Sequence, residues 1–86
     1  MNFSVALAVL KEGGRVRRTG WNGLNMFLYL VPGSEFTVNR APLLGIYPEH
    51  AKVKYAPHID MRTADGTLVP WLASQTDLLS DDWERV

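Results

Sequence analysis

A chain of 86 residues without cysteine has room for one core and excludes disulfide frameworks and cysteine-based zinc sites. Nine Lys and Arg balance nine Asp and Glu, so no long-range field draws a polyanion such as duplex DNA, and no apolar run approaches the ~20 residues of a membrane span. The balance conceals an asymmetry: residues 1–20 carry Lys11, Arg15, Arg17 and Arg18 against Glu12, and residues 77–86 carry Asp77, Asp81, Asp82 and Glu84 against Arg85. One end is therefore expected to complement the other.

In chain order, the first element is a helix. Asn2 is placed to cap it, Phe3, Ala6, Leu7 and Leu10 form one apolar stripe, and Gly13-Gly14 closes it after Lys11. Arg15 to Arg18 reads as a short alternating strand, followed by the turn Thr19-Gly20-Trp21-Asn22-Gly23. Met26 to Val31 is an unbroken apolar run that suits a central strand covered on both faces. Phe36 and Val38 suggest another strand, Arg40 to Glu49 is irregular, and Val53 and Tyr55 resume the alternation. Ile59 to Val69 folds back as a hairpin, with Asp65-Gly66 supplying the positive-φ residues of a tight turn. Ser74 and Asp77 have the spacing of a capping box opening a short helix, and a brief segment ends at Trp83 and Val86.

These elements predict one compact α+β domain over residues 1–86: an N-terminal helix on a small antiparallel sheet, with a short C-terminal helix. Such a small domain buries only about 60% of its unfolded surface. With 47% hydrophobic residues, homo-oligomerisation is the expected route to further burial. The N-terminus shows neither the basic start nor the cleavage site of a signal peptide, so the expectation is a soluble, unprocessed, cytoplasmic protein.

Chemistry-bearing constellations are few. His58 and Asp60 lie two apart on one strand face, where a carboxylate orients an imidazole, but no third member accompanies them. Asp81 and Asp82 read as solvated acids. No nucleotide-binding glycine loop or metal-binding helix motif occurs. A stronger grouping is Trp21 with Asn22 and Asn25, and Trp71 with Ser74, Gln75, Thr76 and Asp77: indole faces stack on nucleobases, and short polar side chains bond base edges and ribose hydroxyls. Arg18, just ahead of the first Trp loop, is placed to neutralise a phosphate. Residue types alone leave open the alternative that both tryptophans anchor the core and Ser74 only caps its helix. Trp83 reads as a packing residue.

The stretches MNFSVALAVLKEGGRVRRTGWNG, MFLYLVPGSEF and PHIDMRTADGTLVPWLASQTDLLSDDW resemble the phage Thoeris anti-defence two family over essentially the whole chain. That resemblance implies a homotetrameric sponge. It would bind, without cleaving it, the glycocyclic ADP-ribose signal made by bacterial TIR-domain enzymes, using no cofactor and acting in the cytoplasm of the infected host. Cyclic dinucleotides are implied as a second cargo of some relatives, and the pockets are expected between subunits. The implied pocket positions are Trp21 and Trp71, with Asn22, Asn25, Ser74 and Asp77 as polar contacts and Arg18, Gln75 and Thr76 beside them. A second arginine for the phosphates would come from a neighbouring chain, with Arg15, Arg17 and Arg62 as candidates. Two competing readings are a hydrolase using Asp77 or His58 as general base and an interaction module that covers a host defence enzyme directly.

Overall fold

The computed structural model describes residues 1–21 and 25–86. The first helix, α1 (Phe3–Lys11), begins where Asn2 accepts a hydrogen bond from the Val5 amide at 3.0 Å. It ends where Gly13, at φ 91°, turns the chain. The Gly14 amide reaches the Val9 carbonyl at 2.9 Å and the Gly13 amide reaches Leu10 at 3.0 Å, the paired bonds of a Schellman closure. A Cβ on Gly14 would lie 2.7 Å from the Val9 side chain, so this closure leaves no room for a larger residue.

Among the described residues seven strands follow: β1 (Val16–Arg18), β2 (Phe27–Val31), β3 (Ser34–Thr37), β4 (Lys52–Tyr55), β5 (His58–Arg62), β6 (Leu68–Pro70) and, after the short helix α2 (Gln75–Leu79), β7 (Trp83–Arg85). Five of them make an antiparallel sheet in the order β6-β5-β2-β1-β7. The apolar run at β2 is its middle strand, as its composition predicts. α1 covers one face, where Ala6, Val9, Leu10, Val16, Leu28 and Trp83 are buried. Leu30, Ile59 and Met61 complete that layer. The other face is only half covered: Phe27, Tyr29 and Val31 keep part of their surface accessible, so β2 is not enclosed on both sides.

The hairpin between β5 and β6 forms where expected, with a different turn. Gly66 alone adopts positive φ, at 91°. The Gly66 amide closes on the Thr63 carbonyl at 3.0 Å, and the Thr63 amide on Thr67 at 2.9 Å. Asp65 instead accepts bonds from the Thr67 amide at 3.0 Å and the Thr67 hydroxyl at 2.8 Å. A single left-handed glycine after an ordinary turn thus replaces the two positive-φ residues of a two-residue loop.

β3 and β4 do not join the main sheet. They pair only with each other and, with residues 38–51 between them, form an arm. Its own small interior is Val38, 1% exposed, whose amide and carbonyl bond Ala51 and His50. The arm draws the molecule out to 46 × 26 × 22 Å with a radius of gyration of 16.0 Å, where a compact chain of this length has about 12 Å. The expected α+β architecture, an N-terminal helix on an antiparallel sheet with a short C-terminal helix, is the one observed; strand alternation was legible, but not that two strands would pair apart from the main sheet.

Candidate functional site

The strand β7 brings the C-terminal acids beside the N-terminal bases. In its register with β1, Arg18 faces Trp83 and Arg17 faces Glu84. The Arg18 guanidinium donates from Nε to Asp82 at 2.9 Å and from Nη1 to Asp77 at 3.0 Å. Arg17 pairs with Glu84 at 2.9 Å and Arg85 with Glu12 at 3.2 Å. Complementarity between the two ends, anticipated from the charge pattern, is thus made of named pairs. The hydrogen bonds that Arg18 donates to Asp82 and then to Asp77 hold it more firmly protonated. Its bond to Arg18 is the main cause lowering Asp82. At Asp77 burial pushes upward, and the Ser74 amide and hydroxyl together with Arg18 outweigh it, leaving that carboxyl lowered.

Around this arginine stands an aromatic cluster. Trp83 is 1% exposed, and its indole N–H donates to the Asp77 carbonyl at 2.9 Å. Trp21 meets Trp83 nearly at right angles with centroids 5.5 Å apart, and Trp71 does the same at 6.0 Å. Phe3 of α1 packs on Trp83 at 5.3 Å and on Trp71 at 5.9 Å. Trp21 and Trp71, 50 positions apart in the chain, therefore share one support while each keeps part of its surface accessible. Edge-to-face contacts of this kind contribute about 0.5–1.5 kcal/mol each beyond burial.

The sequence-selected polar residues divide. Ser74 and Asp77 form the capping box: the Asp77 amide donates to the Ser74 hydroxyl at 3.0 Å and the Ser74 amide to Asp77 at 3.1 Å. Gln75 and Thr76 lie exposed on the first turn of α2. Asn25 is exposed at φ 63°, and its carbonyl accepts from Arg62 at 3.0 Å. Asn22 lies outside the described residues. So Arg18, Trp21, Trp71, Ser74 and Asp77 gather around Trp83, with Gln75 and Thr76 on the adjoining helix. Sequence reasoning missed two supports of this cluster. Asp82 was read as merely solvated yet clamps Arg18, and the Met1 ammonium fastens β7 by donating to Trp83 O at 2.8 Å and Asp81 O at 3.1 Å. The excess of acid at the C-terminus was the available signal for the first.

Other candidates point elsewhere. His58 and Asp60 alternate with the core-facing Ile59 and Met61, so they occupy the opposite, open face of the sheet, with Nε2 and Oδ2 3.6 Å apart. Arg15, Arg17 and Arg62 share that open face; Arg15 lies 5.0 Å over the Phe27 ring, and Arg62 bonds Asn25 and Thr63 carbonyls. None of the three therefore lies on the side of the sheet that carries Arg18. A groove of about 920 Å³ lies on the arm, between Phe36, Val38, Arg40, Pro42, Leu43 and Tyr55, and none of the sequence-selected residues lines it.

The family described as the Thoeris anti-defense 2-like domain matches residues 1–86. The chain belongs to this family. A curated relative, Thoeris anti-defense 2 of Bacillus phage SP01, is 40% identical over 86 residues, covering all of this chain and 94% of that protein. By family this is a phage-type Thoeris anti-defense protein, and no helix among the described residues is long and apolar enough to cross a membrane.

Proposed function

We propose that this protein sequesters the TIR-derived glycocyclic ADP-ribose signal inside the infected cell, in the cytoplasm, releasing it unchanged when unfolded. The observation that carries the reading is the cluster itself: two partly accessible indoles braced on one buried tryptophan, next to an arginine that two carboxylates hold in place. Indoles offer stacking surfaces to an adenine or ribose, and Arg18 offers a charge to a pyrophosphate after exchanging one of its carboxylate partners. Ser74 and Asp77 act chiefly as the cap that sets α2 beside the cluster, with Gln75, Thr76 and Asn25 as exposed polar contacts. The protein works as a homo-oligomer, a tetramer by family resemblance, whose pockets form where copies meet. Cyclic dinucleotides are a second cargo for the same assay.

A non-catalytic role suits this arrangement. Asp77 accepts bonds from Arg18 and from its own helix cap, and its lowered pKa makes it a weak proton acceptor. His58 stands on the other face of the sheet, so the two suggested general bases do not converge.

The test is direct. Protein incubated with the product of a TIR-domain enzyme is freed of unbound material by filtration, unfolded by heat, and the released small molecules are analysed by mass spectrometry. Intact cyclic ADP-ribose isomer is expected in the protein fraction. A linear product would establish hydrolysis, and full recovery in the filtrate would move the function to a protein partner. Trp71→Ala, folded by far-UV circular dichroism, should bind the signal about 5- to 150-fold more weakly, as expected when a stacking contact of ~1–3 kcal/mol is removed.

A further inference from the structure

We propose that Asp82 is an internal competitor for the cargo: its carboxylate occupies Arg18 until a pyrophosphate displaces it. The inference rests on the binding function proposed above and names the residue that regulates that site.

Arg18 carries one positive charge against two negative ones. Its Nε donates to Asp82 Oδ1 at 2.9 Å and its Nη1 to Asp77 Oδ1 at 3.0 Å, so the three side chains together are a net anion. Among the described residues the third nitrogen, Nη2, has no hydrogen-bond partner. A phosphate approaching Nη2 meets a carboxylate on each neighbouring nitrogen, and like charges at such distances repel. That repulsion persists until one carboxylate leaves, and its departure also frees a second N–H for the paired grip by which arginine holds phosphate best.

The two partners are not equally free to leave. The Asp77 side chain, in α2, is 15% exposed. Its second oxygen accepts from the Ser74 amide at 3.1 Å, and its carbonyl takes the Trp83 indole N–H. Turning Asp77 out would undo the helix cap. Asp82 lies just ahead of β7, with 32% of its side chain exposed. Its Oδ2 reaches the Gly20 amide at 3.3 Å and the Thr19 hydroxyl at 3.4 Å, both long for bonds to a charged group. Its backbone is anchored separately: the Asp82 carbonyl accepts from the Thr19 amide at 3.0 Å, and the next amide, of Trp83, donates to Met1 O at 3.1 Å. Rotation of one side chain therefore frees Arg18 and leaves β7 paired. The same rotation releases Thr19 and Gly20, in the turn that the Trp21 amide closes on the Arg18 carbonyl at 3.2 Å. Charge exchange at Arg18 is thereby coupled to the turn that carries the Trp21 indole.

Asp82→Asn removes the competing charge and keeps an acceptor oxygen. The full-length protein and this variant are titrated calorimetrically with cyclic ADP-ribose isomer purified from a TIR-domain enzyme reaction, and their stabilities are compared in urea. Asp82→Asn should unfold at lower urea yet bind about 3- to 10-fold more tightly, as expected when one partly exposed charge is removed. Asp77→Asn should lose both stability and affinity. A merely structural Asp82 would move the two quantities in the same direction, so unchanged or weaker binding by Asp82→Asn overturns the competitor and leaves sequestration standing. Capture of the isomer by Asp82→Asn and not by the wild type supports the competitor, and capture by neither overturns both readings. The wild type supplies a second measurement that does not depend on a variant's folding. Its Arg18 Nε–H resonance, assigned by its absence from Arg18→Lys, should move on saturation with the isomer, and a resonance that stays in place overturns the exchange.

Discussion

Removal of the Trp83 indole deprives three aromatic neighbours of their common support and leaves the Asp77 carbonyl without its donor. Trp83→Ala should lower the unfolding free energy by about 3–5 kcal/mol, and Trp83→Phe, which retains a ring without the N–H, by about 1–3 kcal/mol, both read from urea denaturation. At Arg18 the consequence is a pH dependence. Asp77 and Asp82 are held below their ordinary value of 3.8, and Asp65 in the hairpin turn is lowered to about 2, chiefly by the Thr63 hydroxyl and the Thr67 amide. Carboxyls lowered in the folded state add stability that is complete above their unfolded pKa and is lost as pH falls through the folded value. The melting temperature should therefore stay nearly level from neutral pH down to about 5 and fall between about pH 4 and 2. Arg18→Met should flatten that fall, since both aspartates lose a cause of their shift; an unaltered profile would remove Arg18 from the account. The resemblance picked out Arg18, Trp21 and Trp71 by position. Their meeting on Trp83 was not legible, because it depends on β7 pairing with β1 across more than sixty residues of chain.

Helix α2 is the element most dependent on its surroundings. It has five residues and no buried side chain, far short of the length at which helices persist alone. What holds it is the capping box, the Asp77–Arg18 pair and the bond from Trp83. Ser74→Ala should cost about 1 kcal/mol and, if α2 positions the cluster, should also weaken binding of the signal. Local punctuation made this element readable in the sequence, as it did α1: a cap residue and a glycine stop act within one turn, so their spacing carries the structure. The β5–β6 turn was legible in place and not in type, because Asp65-Gly66 is compatible with more than one loop and the Thr63 and Thr67 hydroxyls decided between them. Strand partners were least legible. Phe36 and Val53 announce two half-buried strands, but alternation states which face is apolar and not which layer will cover it.

At the scale of the molecule, body and arm have different supports. α1, the five-stranded sheet and the aromatic cluster share one core, whereas β3 and β4 have Val38 and each other. All three tryptophans of the chain lie within the cluster on the body, and the arm carries only tyrosines, Tyr47 and Tyr55, and Phe36. Selective tryptophan excitation thus sees the body and is blind to the arm. Emission followed through a thermal melt should report the body as one transition, and a cargo stacking on Trp21 or Trp71 should quench the same signal, while tyrosine absorbance in a Tyr29→Phe variant would record an arm that loosens earlier.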